Sequence, residues 1–412
     1  MTAGHRAVIT GLGVVAPSGT GAEAHWKTVR GGENRIQRIT LFDPAPYPTT
    51  LAGEVCDFDV SDHVERRLEV QTDRWTWLAY AAADFALADA RLDPATVDPY
   101  DLSVALASSS GGNQFGQREL QRLWHPDSPS TVGAYQSIAW FYAATVGQLA
   151  IRHQAKGPSS VLVSESAGGL DSLAHAARLV ARGAKVVLAG GTEAPLSPYA
   201  LACQQRSGRL STAADPAAAY LPFDRRADGF VPGEGGAVFV VEDREHALAR
   251  GATIRAEIAG WASTHDGEPT TRRGAGSVRH YARALSTALH RAGLAPQEVG
   301  VTFPDALGVP AYDRTEAQAL REVFGPAGPA AVTTHKPLMG RLYQGGSAID
   351  AATALLAMEH GLLPASAGPQ EPAEGCDLAF VREERAGEVN SALIGARGFD
   401  GYNSALALRR PA

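Results

Sequence analysis

SVLVSESAGGLDSLAHAARLVARGAKVVLAGG, residues 160–191, is the stretch of this sequence that decides its fold class. It begins with a predicted strand at Ser160–Ser164 and continues through a Gly-Gly turn into an alanine-rich helix at Leu170–Arg182. A second predicted strand follows at Val186–Ala189. Short β-branched runs that alternate with long alanine-rich stretches are typical of layered α/β proteins. The sequence therefore predicts an α/β fold.

The same alternation extends on both sides of this stretch. The other predicted strands are Ala7–Thr10, Leu102–Ala107 and Ala237–Val241, and the other predicted helices are Arg74–Asp89, Ser137–Arg152, Ser277–Arg291 and Ala348–Glu359. The segment Ser137–Arg152 is apolar nearly all round. Such a pattern predicts a helix that is either central and buried or placed at a subunit interface.

Two sequence patterns, called echoes here, each occur twice and predict that the chain consists of two similar halves. The first is a helix end, a proline turn and a strand, carried by Leu87, Ala90, Leu92, Pro94 and Val97 and again by Leu289, Ala292, Leu294, Pro296 and Val299. The second is a Gly-Gly pair before a helix that a glycine closes, at 168–183 and again at 345–361. Because both echoes occur in the same order, we expect halves at 1–253 and 254–412 that share a continuous core.

Composition limits the possible functions. The chain has 412 residues, and Lys plus Arg against Asp plus Glu gives 37 − 44 = −7, which argues against a general nucleic-acid binder. No apolar run reaches the ~20 residues of a membrane span. Because the first predicted strand begins at Ala7, we expect no signal peptide. The three cysteines and twelve histidines lack disulfide-framework or metal-ligand spacing. We expect a cytoplasmic protein without a metal or membrane partner.

Two sequence features could carry chemistry but favour a structural interpretation. Gly11, Gly13 and Ala16 form a loose GxGxxA pattern after a strand, yet turn residues follow where a dinucleotide site needs a helix. A strand-exit turn is the favoured interpretation. Cys203 has no strand–turn–helix setting and no obvious base, so the sequence predicts a buried, inert thiol.

Ser166 stands at a strand–turn–helix elbow, where backbone N–H groups and the helix dipole favour an anion. A serine-hydrolase triad would also need a histidine and an acid within hydrogen-bond reach. The candidate histidines, none in a distinctive context, are His280, His290, His335 and His360. A small residue that fills a tight turn is therefore favoured over a triad.

A series of ordered motifs covers almost the whole chain. They are VITGLGVVAPSG (8–19), AGEV (52–55), AWFYAATVGQLAIRH (139–153), AGGLD (167–171), LAGGTEA (188–194), YLPFDRRADGFVPGEGG (220–236), MGRLYQGG (339–346) and RGFDGYNSALALRR (397–410). With these motifs the sequence resembles the thiolase-like condensing enzymes. Within that family it is similar to the chain-length factors, the ketosynthase-β subunits of bacterial type II polyketide synthases. The resemblance implies a five-layer α/β/α/β/α fold made of two similar halves.

The resemblance also assigns the positions of the chemistry. Active ketosynthases have a Cys nucleophile where this chain has Ser166, and two His residues where it has Asp305 and Arg341; the family's lysine is kept as Lys336. Condensation needs a thiolate-class nucleophile, and Arg stays protonated near pH 7. Asp305 and Arg341 could instead pair as ions and brace the site. We expect a ketosynthase fold without condensing activity.

For partners, the resemblance implies a heterodimer with a ketosynthase-α subunit that elongates poly-β-ketone chains from malonyl units on an acyl carrier protein. No tightly bound cofactor is implied. In the family, the segment after Gly-Gly 111–112 lines the chain tunnel, which points to Asn113, Gly116 and Leu120. None of these is aromatic, so we expect a roomy pocket and a medium-to-long product. The buried amide of Asn113 needs partners, and the alternative is that this face only packs on the partner subunit.

One departure from the family keeps alternatives open. Many chain-length factors carry Gln at the position of Ser166, and the decarboxylative priming associated with that Gln is not carried over to this chain. Ser166 could instead accept acyl groups or act in malonyl decarboxylation. The product could be a polyene rather than an aromatic polyketide, and a stand-alone homodimeric binding protein is a further alternative.

Overall fold

The computed structural model describes residues 5–128, 131–267 and 274–411. Its strands are β1 (Ala7–Ala16), β2 (Gly19–Thr20), β3 (Ile36–Arg38), β4 (Leu51–Gly53), β5 (Leu102–Ala107), β6 (Ser160–Leu162), β7 (Val186–Glu193), β8 (Gly235–Asp243), β9 (Ala256–His265), β10 (Val301–Phe303), β11 (Leu362–Leu363), β12 (Arg385–Ala386), β13 (Ser391–Arg397) and β14 (Tyr402–Arg409). Its α-helices are α1 (Ala22–Gly31), α2 (Arg66–Glu69), α3 (Arg74–Asp89), α4 (Asn113–Trp124), α5 (Gln136–Ala139), α6 (Ala144–Arg152), α7 (Gly168–Ala181), α8 (Pro198–Gln205), α9 (Arg244–Ala249), α10 (Val278–Ala292), α11 (Pro310–Phe324) and α12 (Gln344–His360).

The main sheet has the strand order β10-β13-β14-β9-β1-β8-β7-β5-β6, and β2 pairs with β1 at its side. Strands from the first part of the chain form one side of this order, and strands from the second part form the other. The two sides meet where β1 pairs with β9, through Val8 opposite Glu257 and Ile9 opposite Ala256.

Both sides repeat one pattern of strand directions. In the first, β8 pairs antiparallel with β1 and β7, and β5 pairs parallel with β7 and β6. In the second, β14 pairs antiparallel with β9 and β13, and β10 pairs parallel with β13. A parallel bridge between Thr302 and Val332 stands where the first side has β6. The predicted construction from two similar halves is confirmed, while their division between residues 253 and 254 stays a prediction.

Helices cover the outer faces of the two sides and also lie between them. α3 packs on β1 and β8, and α10 packs on β9 and β14. Between the sides, α7 and α12 pack on each other; α7 contacts β5, β7, β9 and β14, and α12 contacts β7, β8 and β13. The layers therefore run α3, first-half strands, α7 with α12, second-half strands, α10. This order confirms the predicted five-layer fold.

Side-chain caps explain where the two outer helices begin. Asp73 accepts a hydrogen bond from the N–H of Trp75 ahead of α3, and Ser277 accepts one from the N–H of His280 ahead of α10. Each bond satisfies a backbone donor that a first helical turn leaves without a helical partner. Both helices are followed by a proline-initiated 3-10 turn and then by a strand, as the first echo predicted.

The prediction of one continuous helix over Ser137–Arg152 is wrong, because the structure divides it into α5 and α6. Trp140 O accepts a hydrogen bond from Gly112 N at 3.2 Å, while Ala144 N donates to Phe141 O at 2.8 Å. The i to i−4 ladder of an α-helix is therefore interrupted here. The side chains of Trp140 and Phe141 are half exposed, so this is not a central buried helix. Its place at a subunit interface stays a prediction.

Gly11 and Gly13 lie inside β1, so the predicted strand-exit turn at this pattern is also wrong. A β-carbon at Gly13 would lie 1.9 Å from Ala82 O of α3, which means that the missing side chain lets the outer helix approach the strand. The strand continues to Ala16 before the chain turns, and no helix begins there. The close helix–strand approach explains these glycines without a dinucleotide.

The other predicted elements are present, α3 and β5 with the predicted ends and the rest with shifted ends. Strands β1, β7 and β8 run farther than predicted, β6 stops at Leu162, and α12 begins earlier, at Gln344. Across the three described ranges, none of the helices combines the length and the apolar character needed to cross a bilayer.

Candidate functional site

Ser166 lies in a 3-10 turn, Glu165–Ala167, that leads from the end of β6 into α7. The turn is sharp enough to hold Glu165 in the left-handed region, with φ of 48°. Ser166 Oγ donates to Glu165 Oε1 at 2.8 Å, and Glu165 Oε2 accepts a hydrogen bond from Phe399 N at 2.8 Å. The carboxylate of Glu165 therefore connects the serine to the loop after β13.

The serine-hydrolase alternative does not fit this geometry. Within the described residues, no histidine side chain hydrogen-bonds to Ser166, whose hydroxyl is bound by its neighbour Glu165. Ser166 is buried, with 3% of its surface exposed. The favoured interpretation, a small residue that fills a tight turn, agrees with the structure.

Asp305 and Arg341, which the resemblance predicts to stand at the two histidine positions, form a buried ion pair. Arg341 Nη2 lies 3.1 Å from Asp305 Oδ1 and 3.2 Å from Oδ2, and it also donates to Arg397 O at 2.9 Å. Each of the two paired residues is 3% exposed. Burial alone would lower the pKa of Arg341, but the Asp305 carboxylate outweighs it, so that pKa lies above its usual value. The guanidinium therefore stays charged.

Acidic residues of α11 hold the loop that carries Asp305. Glu316 accepts hydrogen bonds from the backbone N–H groups of Asp305 and Ala306, at 2.7 and 2.9 Å. Asp313 accepts from Phe223 N at 2.8 Å and from Gly308 N at 3.0 Å. Burial raises the pKa of Asp313 to about 8. Neither Asp313 nor Glu316 was predicted from the sequence to belong to the site; their spacing of three on one helix was the available signal.

Lys336 lies behind the ion pair rather than in it. Its Nζ is bound to the Asp350 carboxylate on α12 and donates to Pro304 O at 3.3 Å. Burial raises the pKa of Asp350, and the lysine opposes that shift. Because Pro304 precedes Asp305 directly, Lys336 fixes the same loop from the other side.

A cleft of about 760 Å³ reaches the ion pair from the surface. Two predicted residues, Asp305 and Arg341, line this cleft. Glu165, which the sequence did not single out, also lines it. Cys203 also lines this cleft and is exposed, so the prediction that it is buried was wrong. The reason is the position of α8, which buries Ala200 and Leu201 and leaves the thiol at the cleft wall.

Asn113, Gly116 and Leu120 lie on α4 and line a different cavity, of about 330 Å³. The three residues therefore share one face of α4. Asn113 Nδ2 finds its partner in Gly111 O at 3.1 Å, so the amide is held by the loop before α4. Trp140 also lines this cavity, next to Gly116, and was not predicted from the sequence to do so. The pocket is consequently less roomy than the α4 residues alone predict.

None of the three predicted site positions, Ser166, Asp305 and Arg341, carries an imidazole. Ser166 is held by a carboxylate, and an arginine that stays protonated cannot exchange protons as an imidazole does. The fixed charges of Asp305 and Arg341 neutralise each other in a buried setting. In the parts of the chain that the structure describes, no three His, Cys, Asp or Glu side chains are grouped as metal ligands would be.

Sequence comparison matches residues 5–247 to the beta-ketoacyl synthase N-terminal domain and residues 255–369 to its C-terminal domain. This chain belongs to the beta-ketoacyl synthase family. It is 50% identical over 413 residues, all of both chains, to the tetracenomycin polyketide synthase ketoacyl synthase beta subunit of Streptomyces glaucescens. The ketoacyl synthase alpha subunit of that tetracenomycin synthase is 35% identical, over 98% of this chain and 97% of its own. This beta-ketoacyl synthase family member is therefore more similar to the beta subunit.

Solved structures agree with the family assignment. The ishigamide ketosynthase/chain length factor matches this beta-ketoacyl synthase family member with a TM-score of 0.91 and 27% identity, over 100% of both chains. AntDE:AntF, a type II PKS acyl-carrier protein in complex with its ketosynthase bound to the hexaketide, matches with a TM-score of 0.88 and 25% identity, over 99% of this chain and 100% of that chain. The thiolase-like ketosynthase fold is confirmed.

Proposed function

We propose that this chain is the non-condensing, chain-length-determining subunit of a type II polyketide synthase. It pairs with a ketosynthase-α, and the heterodimer elongates poly-β-ketone chains from malonyl units on an acyl carrier protein. The observation that carries the proposal is the buried Asp305–Arg341 pair, which stands where an active ketosynthase needs two imidazoles. Chain growth then takes place on the partner, while this subunit shapes the end of the tunnel.

Pairing is supported by an exposed apolar region on consecutive segments of the first half. β6 is the end strand of the described sheet, so one of its edges offers free backbone groups. Val163, directly after β6, is 46% exposed, and Ile151 on α6, a helix that packs on the neighbouring strand β5, is 72% exposed. Exposed apolar side chains beside an open strand edge are typical of an interface that a partner covers.

The experiment on pairing is co-expression with the ketosynthase-α, followed by gel filtration and titration of the two subunits. We expect a 1:1 complex, and an isolated chain that aggregates. Ile151→Glu should weaken the complex roughly tenfold or more. Leu248→Glu is the matched control, since Leu248 is 51% exposed but lies on α9, away from β6. An isolated chain that stays monomeric at every concentration and does not bind the ketosynthase-α would contradict the proposal.

A second candidate function rests on the bond between Ser166 and Glu165. A carboxylate 2.8 Å from a hydroxyl is placed to accept its proton, which is what acyl transfer to Ser166 or malonyl decarboxylation would require. Mass spectrometry after incubation with malonyl carrier protein tests this candidate. An adduct on the wild type that Ser166→Ala abolishes would favour it; we expect none.

The proposal includes a cytoplasmic location. It covers both product classes, aromatic polyketides and polyenes. The location is supported by the thiols: Cys56, Cys203 and Cys376 are all free, two of them exposed, as in a reducing compartment. Absorption spectra of the products made by the reconstituted pair distinguish a conjugated polyene from an aromatic polyketide.

A further inference from the structure

The cavity beside α4 has an aromatic wall outside the predicted set. A β-carbon built at Gly116 would lie 3.3 Å from Cδ1 of the Trp140 indole. Gly116 contributes no side chain, so the indole stands where a residue of α4 would otherwise project. Trp140 is also the largest side chain that lines this cavity of about 330 Å³.

Backbone contacts fix the position of Trp140 relative to α4. Trp140 O accepts a hydrogen bond from Gly112 N at 3.2 Å. A β-carbon at Gly111 would lie 2.1 Å from that same carbonyl oxygen, and one at Gly112 would lie 2.0 Å from Ala139 O. The loop before α4 and the chain at Trp140 are thus in direct backbone contact. The backbone of Trp140 cannot move away from α4 without breaking this contact, so the Cα from which the indole projects is fixed.

We infer that Trp140 closes the far end of the chain tunnel and is a specificity-determining residue for product length, an inference that rests on the proposed function. The indole is 51% exposed in this chain alone, so it borders both the cavity and the protein surface. Each malonyl extension adds two carbons to the chain. A large ring at the end of the available space, on a backbone held against the loop before α4, stops further extension because it occupies the room that the next two carbons need.

The test is the product distribution of the heterodimer carrying Trp140→Ala or Trp140→Phe, measured by liquid chromatography and mass spectrometry as the mean number of ketide units. Removal of a large side chain leaves space that the surroundings fill only in part. We expect Trp140→Ala to lengthen the products by about one unit or more, with Trp140→Phe in between. The matched control is Trp124→Ala, because Trp124 is 79% exposed on the last turn of α4 and does not line the cavity. The control should leave the distribution unchanged.

The opposite results would overturn the inference. If heterodimers with Trp140→Ala and Trp140→Phe stay intact on gel filtration and give wild-type products, the indole only packs on the partner. The double variant Gly116→Phe/Trp140→Ala adds an independent check, because two rings that compete for one space must give a non-additive effect. We expect the shift in mean product length of the double variant to differ from the sum of the two single shifts, and a shift equal to that sum would contradict a shared space. If Gly116→Phe by itself changes nothing in an intact heterodimer, the failure lies in the proposed tunnel rather than in Trp140.

Discussion

Arg341 and Asp305 form an ion pair in which one guanidinium nitrogen, Nη2, lies within 3.2 Å of both carboxylate oxygens, and both residues are buried. Two opposite charges thus stand at the positions where the resemblance predicts the histidines of an active ketosynthase. The stability of the fold also depends on the presence of both side chains of the pair. A buried charge that loses its partner is costly, whereas replacement of both charges by apolar groups often is not.

The first prediction concerns the stability of this pair. Asp305→Leu should lower the free energy of unfolding by about 3–5 kcal/mol, because it leaves the Arg341 guanidinium buried and without its counter-charge. The double variant Asp305→Leu/Arg341→Met should recover much of that loss. Urea denaturation measures both. Glu384→Ala is the control, since it removes an exposed ion pair with Arg30 and should change stability little. Equal losses in the single and double variants would contradict the account.

The second prediction is that Ser166→Cys alone does not create condensing activity. The thiol would stand beside Glu165, with Asp305 and Arg341 still in place of the two imidazoles. Incubation of the variant, paired with a ketosynthase-α whose nucleophilic cysteine is replaced by alanine, with labelled malonyl carrier protein should give no ketide. Alkylation of the new thiol, followed by mass spectrometry, confirms that the variant is intact. Ketide formation by this single variant would show that the imidazole positions are not needed.

The third prediction concerns pH. Burial raises the pKa of Asp313 from 3.8 to about 8, so the folded chain binds more protons than the unfolded chain between these values. The stabilisation is present at low pH and is lost as pH rises through about 8. Buried histidines with lowered pKa values, such as His25 at about 4, oppose this trend only below their unfolded value of 6.5. The contribution of these histidines to the free energy of unfolding therefore changes below pH 6.5 and stays nearly constant from pH 6.5 to 8.

Within that window the wild type should lose more free energy of unfolding than Asp313→Asn, by about 1–2 kcal/mol. Urea denaturation at the two pH values gives the two differences. Glu193, whose pKa burial raises to about 7, titrates in both proteins and cancels in the comparison. The difference is compared rather than the absolute stability, because the amide cannot accept from both Phe223 N and Gly308 N. Parallel pH profiles would show that Asp313 does not titrate here.

The fourth prediction is that Gly116→Phe in the reconstituted heterodimer shifts the products to fewer ketide units. The new ring would enter the cavity toward Trp140, which lies 3.3 Å from the position of the β-carbon. Gly116→Ala is the matched control, because a methyl group needs only a small shift of the indole. The readout is the ladder of products by mass spectrometry. An unchanged ladder from an intact Gly116→Phe complex would mean that the tunnel does not pass α4.

The sequence predicted the elements whose boundaries are set locally. α3 and β5 have the predicted ends because an Asp cap and compact apolar runs define them. The segment Ser137–Arg152 could not be predicted as two helices, since the break depends on a hydrogen bond from Gly112, far away along the chain. Short-range pattern carries no information about such a contact.

The candidate site was predictable to the extent that motifs place single residues. Ser166, Asp305 and Arg341 were located by their neighbours in the sequence, and the ion pair follows from the charges of the last two. Glu165 and Trp140 were missed because their roles come from packing between separate elements. Glu165 meets Phe399, and Trp140 meets Gly116, only after the layers assemble.

The central claim is that the chain sets product length but does not condense, and one measurement tests it most directly. The heterodimer is assembled with a ketosynthase-α whose nucleophilic cysteine is replaced by alanine, and labelled malonyl carrier protein is supplied. The wild-type heterodimer serves as the positive control. The account predicts that ketides form only with the intact ketosynthase-α, so that the inactivated pair yields none. Ketide formation by the inactivated pair, lost again on Ser166→Ala, would contradict it.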